Sequence, residues 1–574
     1  MAETLAAQLR LRLLAALAKI PRELPDGFVP EVVSATNPAF GDYQSNAAMI
    51  LAKQKQISPL QLAGEIVEKF DGGDLCVRPE IAGSGFINFR ITQDTLAAAI
   101  RSMLADRDRL GVHESADPKT VVIDFSAPNV AKPMHVGHIR STIIGDCLAR
   151  VARFLGHRII TDNHLGDWGT QFGMILWGWK NVLNQEDLER DPIQELLRIY
   201  REVSARQKID EGVRDACRAE LVKLQGGDEH NLAIWKQCID LSKKGLQESY
   251  DLLDVKFDYW HGESFYSDRL SSLVQDLIDK GIAEESEGAI CVFLRDNEKL
   301  ADKPCLIRKS DGGFLYATSD LATIDYRTEV LKADAAWYVI GAPQQLHFDQ
   351  VFAIARKRGI TMELVFIPVG SILGKDHKML RTRSGETVQL HEVLREAIER
   401  AHVIIDEKSP ELSANEKSII SQVIGIGAVK YSELSQFRMT DYVFDWDTML
   451  SLKGNTAPYL INAYVRTRSI FRKLGSDFEG IGPFGFGEKT ERTLALKLAQ
   501  FGEIIPAVLN DFRPNILATY LYELAATFHS FYEACSVLES EGESRQARLA
   551  LCELTGRVLR IGLNLLGIKT TERM

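Results

Sequence analysis

Phe125-Ser126-Ala127-Pro128-Asn129-Val130-Ala131-Lys132-Pro133-Met134-His135-Val136-Gly137-His138 is the stretch that decides how this chain is read. Just before it, Thr120-Val121-Val122-Ile123-Asp124 is an apolar, β-branched run that predicts a buried strand. Just after it, Ile139 to Leu148 reads as a helix. Strand, Pro-interrupted loop and helix N-terminus make a geometry in which backbone N–H groups and the helix dipole attract anions, phosphate above all. His135 and His138 add donors at the same spot, and Gly137 between them suits close approach of a phosphate. The stretch therefore predicts a nucleotide site. The competing reading makes His135 and His138 metal ligands three residues apart on a helix, but a third ligand is missing from the local sequence.

Working outward, 574 residues are too many for one core, so three or four domains are expected. A hydrophobic content of 45% and a charged content of 26% are ordinary for a globular enzyme. With 68 Lys and Arg against 79 Asp and Glu, the formal net charge is −11. That argues against non-specific coating of nucleic acid but leaves room for a nucleic-acid partner held by local basic patches. The eight cysteines contain no CxxC pair, so neither a zinc ribbon nor a redox motif is suggested. No apolar run approaches a membrane span, and Leu5 to Ile20 has the period of an amphipathic helix rather than a signal peptide. The expected location is the cytoplasm.

The first 115 residues look like a small separate domain. Phe40-Gly41-Asp42-Tyr43-Gln44-Ser45-Asn46 reads as a turn with exposed polar groups, and Gly83 to Phe89 alternates like a half-exposed strand. Phe86 and Asn88 would share one face of it. An aromatic beside an amide suits stacking on, and hydrogen bonding to, an unstacked base, although spacing alone favours an ordinary edge strand. A second strand, Arg158 to Asn163, leads into Asn163-His164-Leu165-Gly166-Asp167-Trp168-Gly169-Thr170-Gln171-Phe172-Gly173. Glycines there mean either close approach of backbone to a ligand or a tight turn.

From Gln185 to about Tyr250 the composition turns charged and helical, which reads as an insertion between the halves of the sheet. Strand signals return at Ala289 to Leu294 and at Ala336 to Gly341. Between them, Tyr316 and Asp320 are four apart and share a face on a helix. With Gly262-Glu263-Ser264 and Gln344-Gln345-Leu346-His347 near sheet ends, they suggest a pocket for a polar, cationic substrate. Gly374-Lys375-Asp376-His377-Lys378-Met379-Leu380-Arg381-Thr382-Arg383-Ser384-Gly385 crowds four Lys and Arg side chains into a loop able to close on phosphates. Beyond residue 446 the pattern is all-helical. Leu517, Leu521, Leu524, Phe528 and Phe531 form one core stripe, and Leu551, Leu554, Val558, Ile561 and Leu565 another. Arg466, Arg468, Arg472 and Lys473 lie near Tyr459 and Tyr464, a mixture suited to single-stranded RNA.

Together these strings resemble the arginyl-tRNA synthetases, a family of class I aminoacyl-tRNA synthetases, in their bacterial form. The resemblance rests on Ser126 to His138, Asn163 to Gly173, Phe444-Asp445-Trp446-Asp447, Gly454-Asn455-Thr456-Ala457-Pro458-Tyr459 and the terminal Glu572-Arg573-Met574, and it spans essentially the whole chain. It implies a multidomain α/β protein. A small α/β N-terminal domain over 1–115 would bind the tRNA D-loop. A Rossmann-like parallel-sheet catalytic domain over 116–372 would carry a helical insertion at about 185–250. A signature-loop and connecting region would cover 373–445, and an all-α anticodon-binding domain 446–574.

The resemblance further implies a two-step reaction, arginine with ATP giving arginyl-adenylate, then transfer to tRNA(Arg). Magnesium accompanies ATP, no protein-held metal is expected, cognate tRNA is needed for efficient activation, and the protein is a monomer. His135, Gly137, His138 and Lys378 would hold ATP. The family's second signature is usually Lys-Met-Ser-Lys-Ser, whereas Lys378-Met379-Leu380-Arg381 stands here, so charge on the pyrophosphate side would be shared among Lys132, Lys375, Lys378 and Arg381. Glu263, Tyr316 and Asp320 would take the guanidinium, with Asn129, Gln344 and His164 at the α-amino and carboxylate end and Asp124 and Ser126 beside them. Phe86, Asn88, Tyr459, Arg466 and Met574 would meet tRNA. A small-molecule adenylyltransferase, a non-catalytic RNA-binding relative and a synthetase for another amino acid are the alternatives.

Overall fold

The computed structural model describes residues 3–21, 24–35, 37, 39–374, 388–476, 478 and 485–574. The chain divides into two compact units. One comprises Met1–Glu114, Leu452–Asn564 and Lys569–Met574, the other Ser115–Ser451 and Leu565–Ile568.

In the first unit, β1 (Val33–Ser34), β2 (Tyr43–Ser45), β3 (Glu80–Ala82) and β4 (Phe86–Phe89) form an antiparallel sheet in the order β1-β2-β4-β3. The strand carrying Phe86 and Asn88 is therefore interior, not an edge. A turn with Gly83 and Gly85 at positive φ folds β3 onto one side of β4, and β2 occupies the other. Asn88, opposite both Gln44 and Glu80, is 4% exposed. The expected exposed turn at Phe40 to Asn46 differs as well, because Asp42 and Tyr43 are buried. Their partners come from far along the chain. Arg492 donates to both Asp42 carboxylate oxygens, at 2.9 and 2.6 Å, and the Tyr43 hydroxyl donates to Glu503 at 2.9 Å. The later helices Ala457–Leu474, Lys489–Ala499, Pro514–Ala534 and Gly542–Leu565 follow the sequence pattern. Pro514 opens its helix, where a missing N–H costs nothing, and Leu517, Leu521, Leu524, Phe528 and Phe531 are buried on one face.

In the second unit, β5 (Thr120–Phe125), β6 (Arg158–Asp162), β10 (Ala335–Gly341) and β11 (Glu363–Val369) form a fully parallel sheet in the order β11-β10-β5-β6. The strand β11 was not singled out in the sequence. It lies at an edge, which is why Pro368, unable to donate to a ladder, is tolerated in it. The strand at Ala289 does not join this sheet. Between Ser286 and Ala289, Glu287 and Gly288 both take positive φ, and this tight hairpin pairs β7 (Glu284–Ser286) with β8 (Ala289–Val292). With β9 (Cys305–Arg308) they make a separate antiparallel sheet. The insertion is helical, comprising Gln185–Arg190, Pro192–Arg206, Glu211–Gln225 and Glu229–Leu253.

From β5 the chain moves outward to β6, then returns to place β10 on the other side of β5. The order therefore switches between β5 and β10, and a parallel sheet binds ligands at the carboxyl ends of such strands. The loop after β5 begins with Ser126, and the turn after β10 ends with Gln344. Among the described residues, no helix is long and apolar enough to cross a membrane. All eight cysteines are free and buried.

Candidate active site

The loop leaving β5 is held in a costly conformation. Ser126, Ala127 and Ala131 have φ of 73°, 43° and 62°, each in the left-handed region, where non-glycine residues cost on the order of 1–3 kcal/mol. Buried hydrogen bonds hold it there. The Ser126 N–H donates to Ser141 Oγ at 2.8 Å, and Ser126 Oγ lies 2.7 Å from Tyr250 Oη. The Ala131 N–H donates to Ser242 Oγ at 3.0 Å. The Val130 N–H donates to the Gly166 carbonyl at 3.1 Å, and the Gly166 N–H returns to the Pro128 carbonyl at 3.2 Å. A Cβ at Gly166 would lie 2.3 Å from Asn129 Oδ1, so the glycine reads as a close-approach requirement that leaves Asn129 exposed at the carboxyl end of the sheet.

His135 caps the short helical turn Val136–His138 that feeds the helix Ile139–Phe154. The Gly137 N–H donates to His135 Nδ1 at 3.1 Å, and the His135 N–H donates to His138 Nδ1 at 3.2 Å. The accepting His135 Nδ1 carries no proton, so its neutral ring holds the hydrogen on Nε2, whereas His138 Nδ1 also lies 3.2 Å from the His135 carbonyl and donates to it in the other tautomer. Burial, then the Lys132 charge, lowers the His135 pKa, and burial, then His135, pushes His138 down to about 3. The pair is thus two uncharged imidazoles, ring centroids 4.0 Å apart, at a helix N-terminus. Lys132 Nζ sits 3.9 Å from the Tyr200 ring centroid, a cation–π contact with the helical insertion. Lys375, Lys378 and Arg381 lie outside the described residues. The chain that follows them returns to this loop, because the Val136 N–H donates to the Val388 carbonyl at 3.0 Å and the Leu390 N–H to the Met134 carbonyl at 2.9 Å.

Across the sheet's carboxyl end, the helix Tyr316–Glu329 carries Tyr316, 57% exposed, and Asp320 one turn later. His347 Nε2 lies 2.5 Å from Asp320 Oδ2, and His164 Nε2 lies 4.0 Å from Asp320 Oδ1. Glu263 is tied in by its N–H to the Leu165 carbonyl at 3.1 Å. Burial, reinforced by Asp320 and Asp167, pushes its carboxyl up to about 7. A Cβ at Gly262 would lie 2.2 Å from Asp167, so only glycine fits beside that carboxylate. Gln344 is exposed just beyond β10.

Asp124 and Ser126, expected beside the amino acid's backbone end with Asp124 as a supporting carboxylate, are both buried. Asp124 is 3% exposed and accepts from Arg327 Nη2 at 2.7 Å, while the same nitrogen reaches Asp162 Oδ2 at 3.0 Å. Ser126 is buried against Tyr250. His164, expected at the α-amino and carboxylate end, has its Nε2 4.0 Å from Asp320 Oδ1. Burial alone would lower its pKa, but Asp124, Asp320 and Asp162 raise it overall. Sequence reasoning missed Arg327 and Asp162, and it quoted His347 beside Gln344 without giving it a role of its own. The available signal for Arg327 was its place seven residues after Asp320, two turns along one helix face.

The family model for the class I (R) tRNA synthetase catalytic domain matches residues 99–446. The chain belongs to the arginyl-tRNA synthetase family. The model for the arginyl tRNA synthetase N terminal domain matches residues 7–91, and that for the DALR anticodon binding domain matches 460–574. The chain is 45% identical over 564 residues to the arginine–tRNA ligase of Pseudomonas entomophila strain L48, with 96% of each covered. It is 43% identical over 584 residues to that of a Synechococcus species, with 99% of each covered. The crystal structure of arginyl-tRNA synthetase from Plasmodium falciparum matches with a TM-score of 0.85 at 28% identity, covering 100% of this chain and 99% of that one. The Thermus thermophilus enzyme shares the fold, with a TM-score of 0.83 at 22% identity, covering 99% of this chain and 100% of that one.

In the first unit, the residues that the family resemblance assigns to tRNA fall in two places. Phe86 is half-exposed beside the buried Asn88, whose Oδ1 has no hydrogen-bond partner among the described residues. Tyr459 packs 5.6 Å from Tyr522 and 5.1 Å from His529, measured between ring centroids. Arg466 Nη1 is 3.2 Å from His529 Nδ1 and its guanidinium stacks over Tyr532 at 5.3 Å. Arg466 and Tyr532 line a cleft of about 430 Å³ together with Asn462, Val465, Ser469 and Glu533. The Tyr464 hydroxyl donates to Glu572 at 2.6 Å and Arg472 Nη1 to the Glu572 carbonyl at 2.7 Å, which ties Met574 close to the helix Ala457–Leu474.

Proposed function

We infer that the chain is an arginine–tRNA ligase, consuming ATP to form arginyl-adenylate and then arginyl-tRNA. The observation that carries the reading is the full-length match to arginine–tRNA ligases, in a chain whose sheet switch point gathers two uncharged imidazoles and the carboxylates Glu263 and Asp320. In the first step the arginine carboxylate oxygen attacks the α-phosphorus, and the bond to pyrophosphate breaks. Such displacement needs alignment and donors for developing charge rather than covalent help. His135, donating through Nε2, and His138, in the tautomer that bears its hydrogen on Nε2, serve the phosphate oxygens, with Gly137 leaving room. Magnesium enters with ATP as part of the substrate. Lys132, Lys375, Lys378 and Arg381 share the pyrophosphate charge. In the second step a ribose hydroxyl of the terminal adenosine attacks the adenylate carbonyl, and AMP leaves.

The guanidinium presents five donors in a fixed fork, which Asp320, Glu263 and the Tyr316 oxygen are suited to accept. Asn129 and Gln344 are exposed where the amino acid's backbone end would lie. Asp124 acts from beneath, through Arg327. For tRNA, residues 1–115 would read the D-loop through Phe86 and Asn88. The helical domain would read the anticodon through Tyr459, Arg466 and Met574. The same reading makes the protein cytoplasmic and monomeric, and makes cognate tRNA a requirement for efficient activation. Pyrophosphate exchange run with each of the twenty amino acids, with and without tRNA, tests it. Only arginine should support exchange, and Asp320→Asn should raise the arginine KM about tenfold or more while the ATP KM stays near normal. Equal damage to both constants would make Asp320 structural.

A further inference from the structure

The Asp320 carboxylate is flanked by imidazoles on both sides. His347, in the first turn of the helix Gln345–Lys357, sets its Nε2 2.5 Å from Oδ2, and His164 stands 4.0 Å from Oδ1. Both His347 and Asp320 are partly open, with side-chain exposures of 29% and 16%. A carboxylate placed to receive a guanidinium is thus already engaged by a group that can carry a proton. We propose that His347 is a positioning residue that holds Asp320 for arginine, and that arginine binding expels the His347 proton. The proposal rests on the reading of Asp320 as a guanidinium acceptor.

The physical argument is one of charge balance. Burial alone would lower the pKa of His347, but the hydrogen bond and charge of Asp320 raise it. In the empty pocket the raised pKa keeps His347 in its imidazolium form to higher pH than a free imidazole, paired with Asp320. An arriving guanidinium carries a permanent charge, takes the same carboxylate and stands against the imidazolium. The cheaper of the two cations to discharge is the imidazole. The Nδ1–H bond breaks, its electron pair stays on the nitrogen and the proton passes to solvent, so the neutral ring can still donate Nε2–H to Asp320.

Other groups face Asp320 from neighbouring elements: His164 from the loop after β6, Glu263, Cys305 from β9 and Tyr338 from β10. Burial pushes the Cys305 thiol up to about 12 and raises the Tyr338 phenol, so both stay protonated near neutrality. His164 and Glu263 titrate in the same direction as His347, so each needs its own control. Because the complex binds fewer protons than the empty pocket, arginine affinity rises with pH through the raised His347 pKa and then levels off.

Calorimetric titration of the full-length protein with arginine, in two buffers of different ionisation enthalpy across roughly pH 6–8, reads the proton count directly. The wild type should release protons on binding, while uncharged citrulline, the probe for shape without charge, should release none. His347→Gln keeps an amide donor for Asp320 and should lose up to one released proton and the His347 part of the pH slope. His347→Phe, with no donor, should weaken arginine about tenfold relative to His347→Gln and leave the ATP KM alone. Proton release and slope in His347→Gln equal to wild type would overturn the proposal, the more clearly if His164→Gln or Glu263→Gln removed them instead. An Asp320→Asn variant that binds arginine normally would sink the pocket assignment itself. If Asp320→Asn binds weakly while His347→Gln releases protons normally, only the His347 proposal falls.

Discussion

The Lys430 ammonium donates to the Gly567 carbonyl at 2.7 Å, with Asp146 Oδ2 3.9 Å away. This buried cation pins the short C-terminal segment Leu565–Ile568 within the same compact unit as the helix Ile139–Phe154, which bears Asp146. Gly567 has a φ of 70°, and a Cβ on it would lie 2.8 Å from both Asp146 Oδ2 and Lys430 Nζ, so glycine is required there.

Lys430 is 1% exposed, and burial above all pushes its pKa down from 10.5 to about 8. Below about pH 8 the group is charged whether folded or unfolded, and the folded state bears the desolvation cost. Between that point and 10.5 the unfolded chain holds a proton that the folded chain has released, so this group's contribution to stability improves as pH rises. In Lys430→Met that contribution is gone. The thermal midpoint of wild type minus variant should climb from pH 8 towards 10, and a flat difference would mean Lys430 is not buried in the folded protein.

Gly137 and Gly145 stand eight residues apart and should fail differently. Among the described residues, a Cβ at Gly137 would meet only the His135 ring, at 2.8 Å from Cε1. Gly137→Ala should turn that ring, break the bond from the Gly137 N–H and lower adenylate formation by about 10²-fold with little change in melting temperature, since misplacing a reacting group by about 1 Å costs that much. A Cβ at Gly145 would lie 2.3 Å from the Phe125 ring, between the helix and β5. Gly145→Ala should lower stability by about 1–3 kcal/mol through overpacking, as measured by denaturant unfolding. Equal melting temperatures for the two variants would contradict this division.

The strand Thr120–Phe125, the helix after His138, the insertion helices and the Tyr316/Asp320 face all carry local signals, and local signals survive in a bare sequence. What was not legible is what depends on distant partners. Asp124 reads as a ligand group until Arg327, 203 residues on, claims it. Nothing near Asp320 announces that a later helix brings His347 to it. Ala289 to Val292 has strand propensity, but propensity does not say which sheet a strand joins, and a tight hairpin at Glu287-Gly288 sent it elsewhere. Asn88 is buried because strands pair on both sides of it, which alternation alone cannot reveal.

The Asp42–Arg492 pair spans 450 residues within one unit and supports the sheet that presents Phe86 and Asn88. Both Asp42 oxygens accept from the Arg492 guanidinium, and Oδ2 also accepts the Ile91 N–H at 2.7 Å. The carboxylate side chain is 4% exposed. Removing its partner leaves a charge that water cannot reach, so Arg492→Met should destabilise by about 3–5 kcal/mol. The double variant Arg492→Met with Asp42→Asn should recover part of that loss, because the stranded charge is gone. The effect should also be local. Hydrogen exchange should accelerate at backbone amides of residues 42–45 and 86–91 and stay at wild-type rates in 120–125, the strand that begins the other unit's sheet. Additive losses in the double variant, or protection lost equally in both sheets, would show that the pair does not act as this geometry requires.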